Sequence, residues 1–233
     1  MSIFDNKILR NDLINISLRN KYVFFSVAKA ASSTLKSTLS KFELKDLPNV
    51  KLPPHPILTM SPFVKAYQLT ERQFSDILAD KSFLKFAFVR NPYSRILSAY
   101  LDKIVRSAPE KVHILMGLGY SKDDMKIEIS FEQFVDVIVS TETKQKNRHW
   151  MPMSYILNYP YTKFDFIGRV ENFDKDFKDL QHHLNIDLIN YYEKYDVNKT
   201  DTLNVLGNYY TPDLKTKIAK HYAEDFELGG YQP

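Results

Sequence analysis

The stretch Lys21–Lys36, KYVFFSVAKAASSTLK, decides the fold class of this chain. Its first part, Tyr22–Val27, is a short apolar run rich in aromatic and β-branched residues, which is typical of a strand buried on both faces. A loop of small residues with one lysine follows, and the sequence becomes helical from Thr34 to about Lys41. A strand, a small-residue loop and a helix form an architecture that binds phosphate, because N–H groups at the helix start point at the anion. The stretch therefore predicts an anion site, although buried strands also lead into Ser/Thr-capped helices that bind no ligand.

The loop is not a Walker loop. That motif requires G-x-x-x-x-G-K-[ST], and the first glycine of the chain is Gly117. Small side chains must therefore permit the close approach of the backbone to an anion.

A second segment of the same kind follows about fifty residues later. Phe83–Val89 is another buried-strand candidate, and it leads into Arg90-Asn91-Pro92 and a helix from Tyr93 to about Arg106. An arginine just ahead of a helix N-terminus is again suited to an anion, now with a bidentate donor. In an open parallel sheet both loops lie at the carboxyl ends of the strands, where ligands bind. Two such segments predict a ligand with two anionic ends.

Length and composition favour one α/β domain over residues 1–233. The net charge of +4 fits an anionic ligand without requiring nucleic acid, and the absence of cysteine excludes disulfides and Cys-ligated metals. The first twenty residues carry charges every few positions, so we expect no signal peptide and no membrane span. These features predict a cytoplasmic protein that binds no nucleic acid and has no membrane span; they do not indicate its oligomeric state.

The remaining segments add further helices and a third strand. Capping boxes or N-caps at Thr70, Ser130 and Thr211 predict helix starts, and Phe164–Val170 predicts the third strand. Residues 1–20 indicate a short strand or arm, 44–62 are rich in proline and include His55, 187–208 are predicted to be irregular, and the last ten residues are predicted to be a tail.

Four motifs together resemble the carbohydrate sulfotransferases, in particular the branch with the HNK-1, chondroitin and dermatan 4-O-sulfotransferases, which is related to heparan sulfate 2-O-sulfotransferase. The resemblance extends from about residue 21 to the C-terminus, and the second motif is the most specific. The motifs are Val27–Thr34, Phe88–Tyr100, His149-Trp150-Met151-Pro152 and Asp165–Glu171.

The resemblance implies a P-loop-like three-layer fold with a central, mostly parallel sheet flanked by helices. It implies transfer of a sulfuryl group from 3′-phosphoadenosine-5′-phosphosulfate (PAPS) to a sugar hydroxyl, with PAP as product. In this family the first loop binds the 5′-phosphosulfate and the second segment binds the 3′-phosphate. The matching positions here are Lys29, Ala30, Ala31, Ser32, Ser33 and Thr34 for the former, and Arg90 and Ser98 for the latter.

Other roles implied by the resemblance are less specific. Lys199 and Thr200 lie in a late polar loop that in related enzymes covers the 3′-phosphate or the adenine; alternatively, this loop is simply solvated. Lys29 is expected to neutralise the leaving oxygen. No divalent metal is expected, because a sulfuryl group carries less charge than a γ-phosphate and no Walker-type magnesium ligand is apparent.

Histidine suits the general base, because its pKa lies near working pH. His55 lies between the two anion segments in sequence, where the heparan sulfate 2-O enzyme carries catalytic histidine, and His149 belongs to a family motif. We favour His55, with His149 or a carboxylate as the alternatives. His149 also suits a packing role beneath the acceptor groove.

Departures from the family leave the acceptor open. Ala28 stands where a proline is usual and Asn91 where an aspartate is common, and the family's cysteines and Golgi anchor are missing, so we expect a soluble bacterial member. Lys144, Lys146 and Arg148 form a basic run that either attracts an acidic glycan or is merely solvated.

Three rival readings remain at this point. A P-loop-type kinase would need glycine-rich phosphate contacts and a magnesium site. An inactive member would bind PAP or sulfated glycans without turnover. A sulfotransferase for a lipid or a small phenol would share the donor site and differ in the acceptor loops.

Overall fold

The computed structural model describes residues 7–47, 49–50, 61–192 and 202–233. The strands in this part of the chain are β1 (Ile14–Ser17), β2 (Tyr22–Phe25), β3 (Leu84–Val89) and β4 (Phe166–Arg169). The α-helices are α1 (Lys7–Leu13), α2 (Ser32–Glu43), α3 (Glu71–Ala79), α4 (Pro92–Ala99), α5 (Lys111–Gly117), α6 (Phe131–Ser140), α7 (Met153–Leu157), α8 (Phe173–Leu184), α9 (Thr202–Tyr209), α10 (Pro212–His221) and α11 (Ala223–Gly229). A π-helical segment, Tyr100–Val105, continues α4, and short 3₁₀ turns occur at Ala66–Gln68, Thr143–Gln145, Val170–Asn172 and Ile189–Tyr191.

The chain forms two compact units, each made of two chain segments. Unit 1 contains Met1–Val89 and Ile156–Asp196, and unit 2 contains Arg90–Tyr155 and Val197–Pro233. The single domain expected over residues 1–233 stays a prediction.

Unit 1 is built on a four-stranded sheet in the order β1-β2-β3-β4. β1 pairs antiparallel with β2, whereas β2–β3 and β3–β4 are parallel, with Tyr22 opposite Leu84 and Phe86 opposite Phe166. Because β2 and β3 are parallel neighbours, their carboxyl ends lie at the same edge of the sheet. The predicted α/β class, with a mostly parallel sheet flanked by helices, is confirmed.

Both faces of the two central strands are buried, as their continuous apolar sequences predict. On one face, Phe24 and Phe86 stack with ring centroids 5.1 Å apart. This face packs against Leu35 and Leu39 of α2 and Leu180 of α8. The amphipathic stripes of α2 and α8 thus fix these helices against the sheet and set where α2 begins.

Unit 2 has a separate apolar core formed by helices. Its buried members include Ile96 and Leu97 of α4, Phe134 and Ile138 of α6, Trp150, Ile218 of α10 and Phe226 of α11. The π-helical turn at the end of α4 lies within the span predicted as one helix, from Tyr93 to Arg106, and Ile104 in it is buried.

Three predicted helix starts are confirmed by their caps. The hydroxyls of Thr70 and Ser130 accept from the N–H groups of Gln73 and Gln133, and both pairs form complete capping boxes. Thr211 caps α10 in the same way. Side-chain chemistry within three residues was sufficient to place these starts.

Two predictions for the C-terminal part are wrong. The residues predicted to be irregular, 187–208, contain α9, and the predicted tail contains α11. In α9, Val205 and Leu206 pack on the core of unit 2, and in α11 Phe226 is buried in that core. Tertiary burial therefore stabilises two short helices, of eight and seven residues, for which we predicted no helical signal. No helix among the described residues combines the length and the hydropathy needed to cross a membrane.

Candidate active site

The first predicted anion segment, in unit 1, is a tight turn between β2 and α2. Lys29 has φ 66° and Ala31 has φ 58°, so both adopt the left-handed conformation that usually requires glycine. The N–H of Ala30 donates to the carbonyl of Val27 at 3.2 Å, which closes the turn. Left-handed backbone at non-glycine residues costs about 1–2 kcal/mol per residue, and strain of this kind collects at functional sites.

This turn leaves the start of α2 without a side-chain cap. Ala31 occupies the N-cap position and has no group that can accept a hydrogen bond, whereas Asn91 and Thr70 cap α4 and α3 with their side chains. The first N–H groups of a helix have no partner within the helix. A left-handed residue followed by helical Ser32 also turns successive N–H groups toward one point, which is an anion-binding arrangement.

All six residues predicted to bind the 5′-phosphosulfate lie together on this turn and the first turn of α2. They are Lys29, Ala30, Ala31, Ser32, Ser33 and Thr34. Lys29, Ser32 and Ser33 are partly exposed, and Ala30 is buried. The sequence leaves open whether Ser32, Ser33 and Thr34 cap the helix or bind an anion. In the structure all three lie within the first turn of α2, and Ala31 occupies the N-cap position.

The second predicted segment, in unit 2, begins with Arg90 directly after β3. Asn91 caps α4, since its side-chain oxygen accepts from the N–H of Tyr93 at 3.0 Å, and Pro92 fills the first helical position. Arg90 is partly buried, and Ser98 lies eight positions farther on in α4 with 1% of its surface exposed. The predicted 3′-phosphate roles of Arg90 and Ser98 stay predictions, and the burial of Ser98 makes it the less accessible of the two.

His149 of unit 2 has a defined hydrogen-bonding environment. Its ring Nδ1 lies 2.6 Å from Oδ1 of Asn147 and 3.6 Å from a carboxylate oxygen of Glu110. The backbone N–H of His149 also donates to Oδ1 of Asn147, at 3.1 Å, which identifies that atom as an acceptor. Because Nδ1 faces two acceptors, it carries the proton of the neutral ring, and Nε2 keeps the lone pair.

Glu110 links this histidine to a charged group. Its carboxylate lies 3.3 Å from Nζ of Lys103, which in turn lies 3.4 Å from the carboxylate of Asp102. A histidine whose Nδ1–H is held by oxygen acceptors has the orientation required of a general base. An asparagine two residues before a histidine was the sequence signal for this pairing, and motif reasoning overlooked it.

Three predicted site residues cannot be placed. His55, Lys199 and Thr200 lie outside the described residues, so the choice of His55 as base and the roles of Lys199 and Thr200 stay predictions.

The prediction of a solvent-facing basic run is wrong for Lys146, whereas Lys144 is exposed. Lys146 is buried, its Nζ donates to the carbonyl of Thr141, and burial lowers its pKa to about 8. Lys144 pairs with Glu142 at 3.1 Å. Lys146 therefore has a structural role in unit 2, because its ammonium group is buried and binds a backbone carbonyl.

A cavity of about 720 Å³ in unit 1 lies beside α8. Its lining includes Phe173, Phe177, His182 and Tyr192, and none of the predicted site residues that the structure describes belongs to it.

Comparison with known proteins gives a family for the chain. The model of the Sulfotransferase family matches residues 12–232. Carbohydrate sulfotransferase 14 of Danio rerio is 28% identical over 165 residues, which are 65% of this chain and 44% of the relative. Carbohydrate sulfotransferase 12 of Xenopus laevis is 26% identical over 196 residues, 75% of this chain and 46% of the relative.

Carbohydrate sulfotransferase 11 of Rattus norvegicus is 26% identical over 109 residues, which cover 41% of this chain and 31% of the relative. The chain thus spans less than half the length of these curated relatives. No solved structure matches it significantly. Since the family model covers nearly the whole sequence, including the turn before α2, Arg90 and His149, the chain belongs to the sulfotransferase family.

Proposed function

We propose that this protein transfers a sulfuryl group from PAPS to a carbohydrate hydroxyl. The observation that carries the proposal is the uncapped start of α2 after a turn with two left-handed non-glycine residues, Lys29 and Ala31. Such a turn fits an anionic group bound by backbone N–H donors. The family match supports sulfuryl rather than phosphoryl transfer, and the names of the curated relatives support a carbohydrate acceptor.

The donor would be held at both of its anionic ends. Lys29 and the residues Ala30–Thr34 would bind the 5′-phosphosulfate, and Arg90 with Ser98 would bind the 3′-phosphate. Support comes from the family match, because the matched residues include both segments. Lys199 and Thr200 would cover the nucleotide from a late loop.

The chemistry requires three contributions from the protein. PAPS supplies the activated sulfuryl group; the acceptor oxygen forms a bond to sulfur, while the bond from sulfur to the 5′-phosphate oxygen breaks and PAP leaves. Lys29 neutralises the charge that develops on that leaving oxygen. A base removes the hydroxyl proton, and the two anion segments hold the donor in line for attack.

His149 is the base candidate that the described geometry supports. Oxygen atoms of Asn147 and Glu110 lie beside its Nδ1, which favours the tautomer with the proton on Nδ1 and makes Nε2 the atom that would take the acceptor proton. His55 remains the alternative. No step needs a metal ion; a cytoplasmic location and a bacterial source remain expectations from sequence.

Transfer of labelled sulfate tests the proposal. Purified protein is incubated with ³⁵S-labelled PAPS and a panel of chondroitin, dermatan, lipid and phenolic acceptors, in the presence of EDTA. Label in a glycan supports the proposal. Label in the lipid or phenol only would overturn the carbohydrate assignment, and no transfer to any acceptor, despite PAP binding, would favour a binding module.

A matched pair of lysine variants links the activity to the site. Lys29→Ala is expected to abolish most transfer, whereas Lys41→Ala, at an exposed position of the same helix region, is expected to leave transfer unchanged. Equal transfer by both variants would contradict the role of Lys29.

A further inference from the structure

Arg95 and Asp225, the most deeply buried charged residues among those described in unit 2, hold the backbone of the segment that contains His149. Arg95 of α4 is fully buried (0% exposed). Its Nη1 donates to the carbonyl of Met151 at 2.8 Å, and its Nη2 donates to the carbonyl of Arg148 at 3.2 Å. One guanidinium thus binds carbonyls on both sides of His149.

Two further buried side chains, from α11 and from the residue between α10 and α11, bind the same segment. Asp225 of α11 is also 0% exposed, and its two carboxylate oxygens accept from the N–H groups of Met153 and Ser154 at 2.8 and 2.7 Å. The hydroxyl of Tyr222 donates to the carbonyl of Trp150 at 2.6 Å. Side chains from distant parts of the sequence therefore fix five backbone groups within Arg148–Ser154.

Burying the charges of Arg95 and Asp225 costs folding free energy, which a purely structural role would not require. Burial raises the pKa of Asp225 and lowers that of Arg95, and each shift is opposed by the charge of the other group. Buried charges, even when an opposite charge is near, often stabilise a fold no better than apolar residues of the same size. What these two side chains provide is a defined geometry for the backbone groups that they bind.

The segment held in this way contains one histidine, His149, whose ring is suited to proton transfer. Arg148 and Trp150, the neighbours of His149, have their carbonyls bound by Arg95 and Tyr222, and the ring of His149 is bound by Asn147. The N–H groups of Trp150 and Met151 also donate to the carbonyl of Asn147, which closes the turn around His149. The backbone on both sides of the ring is therefore restrained.

We propose that Arg95, Asp225 and Tyr222 are positioning residues that keep His149 in one orientation and one tautomer for proton abstraction. The inference deepens the proposed function and rests on His149 acting as the base in it. These residues act on the turn and not on the substrate, so they are expected to affect turnover and leave the affinity for PAP unchanged.

A matched pair of tyrosine variants tests the inference. Tyr222→Phe removes only the oxygen that binds the Trp150 carbonyl, whereas Tyr100→Phe removes an equivalent bond, from its hydroxyl to the Ile129 carbonyl at 2.8 Å, elsewhere in unit 2. Both changes delete one buried bond to a carbonyl and keep the ring, so both proteins are expected to fold with similar losses of thermal stability.

Nuclear magnetic resonance of the ¹⁵N-labelled His149 ring is the primary readout. We expect one tautomer, with the proton on Nδ1, in the native protein and in Tyr100→Phe, and a mixture of tautomers in Tyr222→Phe. Turnover is expected to fall about tenfold in Tyr222→Phe, because small misplacements of a catalytic group are costly, and to change less than about twofold in Tyr100→Phe. The affinity for PAP is expected to be equal in all three.

Identical ring spectra in the two variants would overturn the inference, whatever the activity. A His149→Asn variant separates this result from a failure of the proposed function. If that variant retains full turnover, His149 is not the base and the inference fails with it. If no protein shows turnover but the tautomer mixes only in Tyr222→Phe, the positioning of the ring is supported and the proposed reaction is wrong.

Discussion

Replacing Ala31 by glycine is expected to stabilise the protein, although glycine in a helix start is normally neutral or unfavourable. Ala31 has φ 58° and ψ 18°, and relief of left-handed strain contributes about 1–2 kcal/mol to the free energy of unfolding. The greater freedom of glycine in the unfolded chain removes about 0.5–1 kcal/mol. Ala31 is partly exposed, so its methyl group contributes little burial. We expect a net gain of about 0.5 kcal/mol.

Ala30→Gly is the matched control. Ala30 is 1% exposed and is not among the described residues with positive φ. Glycine there loses the buried methyl, about 0.8 kcal/mol, in addition to the unfolded-state term, so a loss of roughly 1.5 kcal/mol is expected. The two variants should therefore differ by about 2 kcal/mol, with opposite signs.

Urea unfolding followed by far-ultraviolet circular dichroism measures both values. If Ala31→Gly lost as much stability as Ala30→Gly, the left-handed conformation of Ala31 would not be strained, and the interpretation of the turn as a preformed anion site would fail. Affinity for PAP is expected to fall in Ala31→Gly, because a more mobile turn is less preorganised.

Three further substitutions test other parts of the structure. Lys29→Ala is expected to lower kcat by about 100-fold, because the lysine acts on developing charge; unchanged kcat with PAP still bound would refute that role. Gly168→Ala is expected to destabilise the protein by about 1–3 kcal/mol in urea unfolding, since a Cβ at Gly168 would lie 2.5 Å from the buried ring of Phe88; a neutral result would contradict the tight packing of β3 on β4. Burial lowers the pKa of Lys65 from 10.5 to about 8, so the unfolded chain binds more protons than the folded protein between pH 8 and pH 10.5, and stability rises with pH in that window. Lys65→Met should remove up to about 3 kcal/mol of this rise, whereas the exposed Lys122→Met should retain it, and parallel stability curves for the two would refute the assignment.

Local sequence patterns were sufficient to predict the central strands of the sheet and several helix starts. The continuous apolar runs Tyr22–Val27 and Phe83–Val89 predicted strands buried on both faces, and β2 and β3 are such strands. Hydroxyl side chains at Thr70 and Ser130 predicted helix starts, because a cap and its partner lie within three residues. Signals of this kind are contained in one short window.

The helices near the C-terminus depended on contacts that no short window contains. Asp225 reads as a surface charge in a polar tail, but it is buried because it binds the N–H groups of Met153 and Ser154. Tyr222 and Phe226, four residues apart on the buried side, were the available signal for a helix here. Hydrogen bonds to residues distant in sequence therefore keep Asp225 buried, although its residue type predicts exposure.

The candidate site, too, was predicted from local sequence only in part. Its position after β2 followed from the pattern of strand, small residues and helix, whereas the left-handed backbone of Lys29 and Ala31 did not. Sequence rules assign that conformation to glycine, and here the packing of α2 on the sheet holds non-glycine residues in it. The burial of Ser98 and Lys146 was likewise invisible in the sequence, because both residue types are usually exposed.

The central claim is that the protein holds one donor at both of its anionic ends. Calorimetric titration with nucleotides that have or lack the 3′-phosphate tests this claim most directly. PAP and adenosine 5′-monophosphate are titrated, without magnesium, into the native protein and into Arg90→Ala. We predict that Arg90→Ala weakens PAP binding by about tenfold or more and leaves the affinity for adenosine 5′-monophosphate unchanged, because only PAP carries the 3′-phosphate. Equal weakening of both ligands, or no PAP binding to the native protein, would contradict the account.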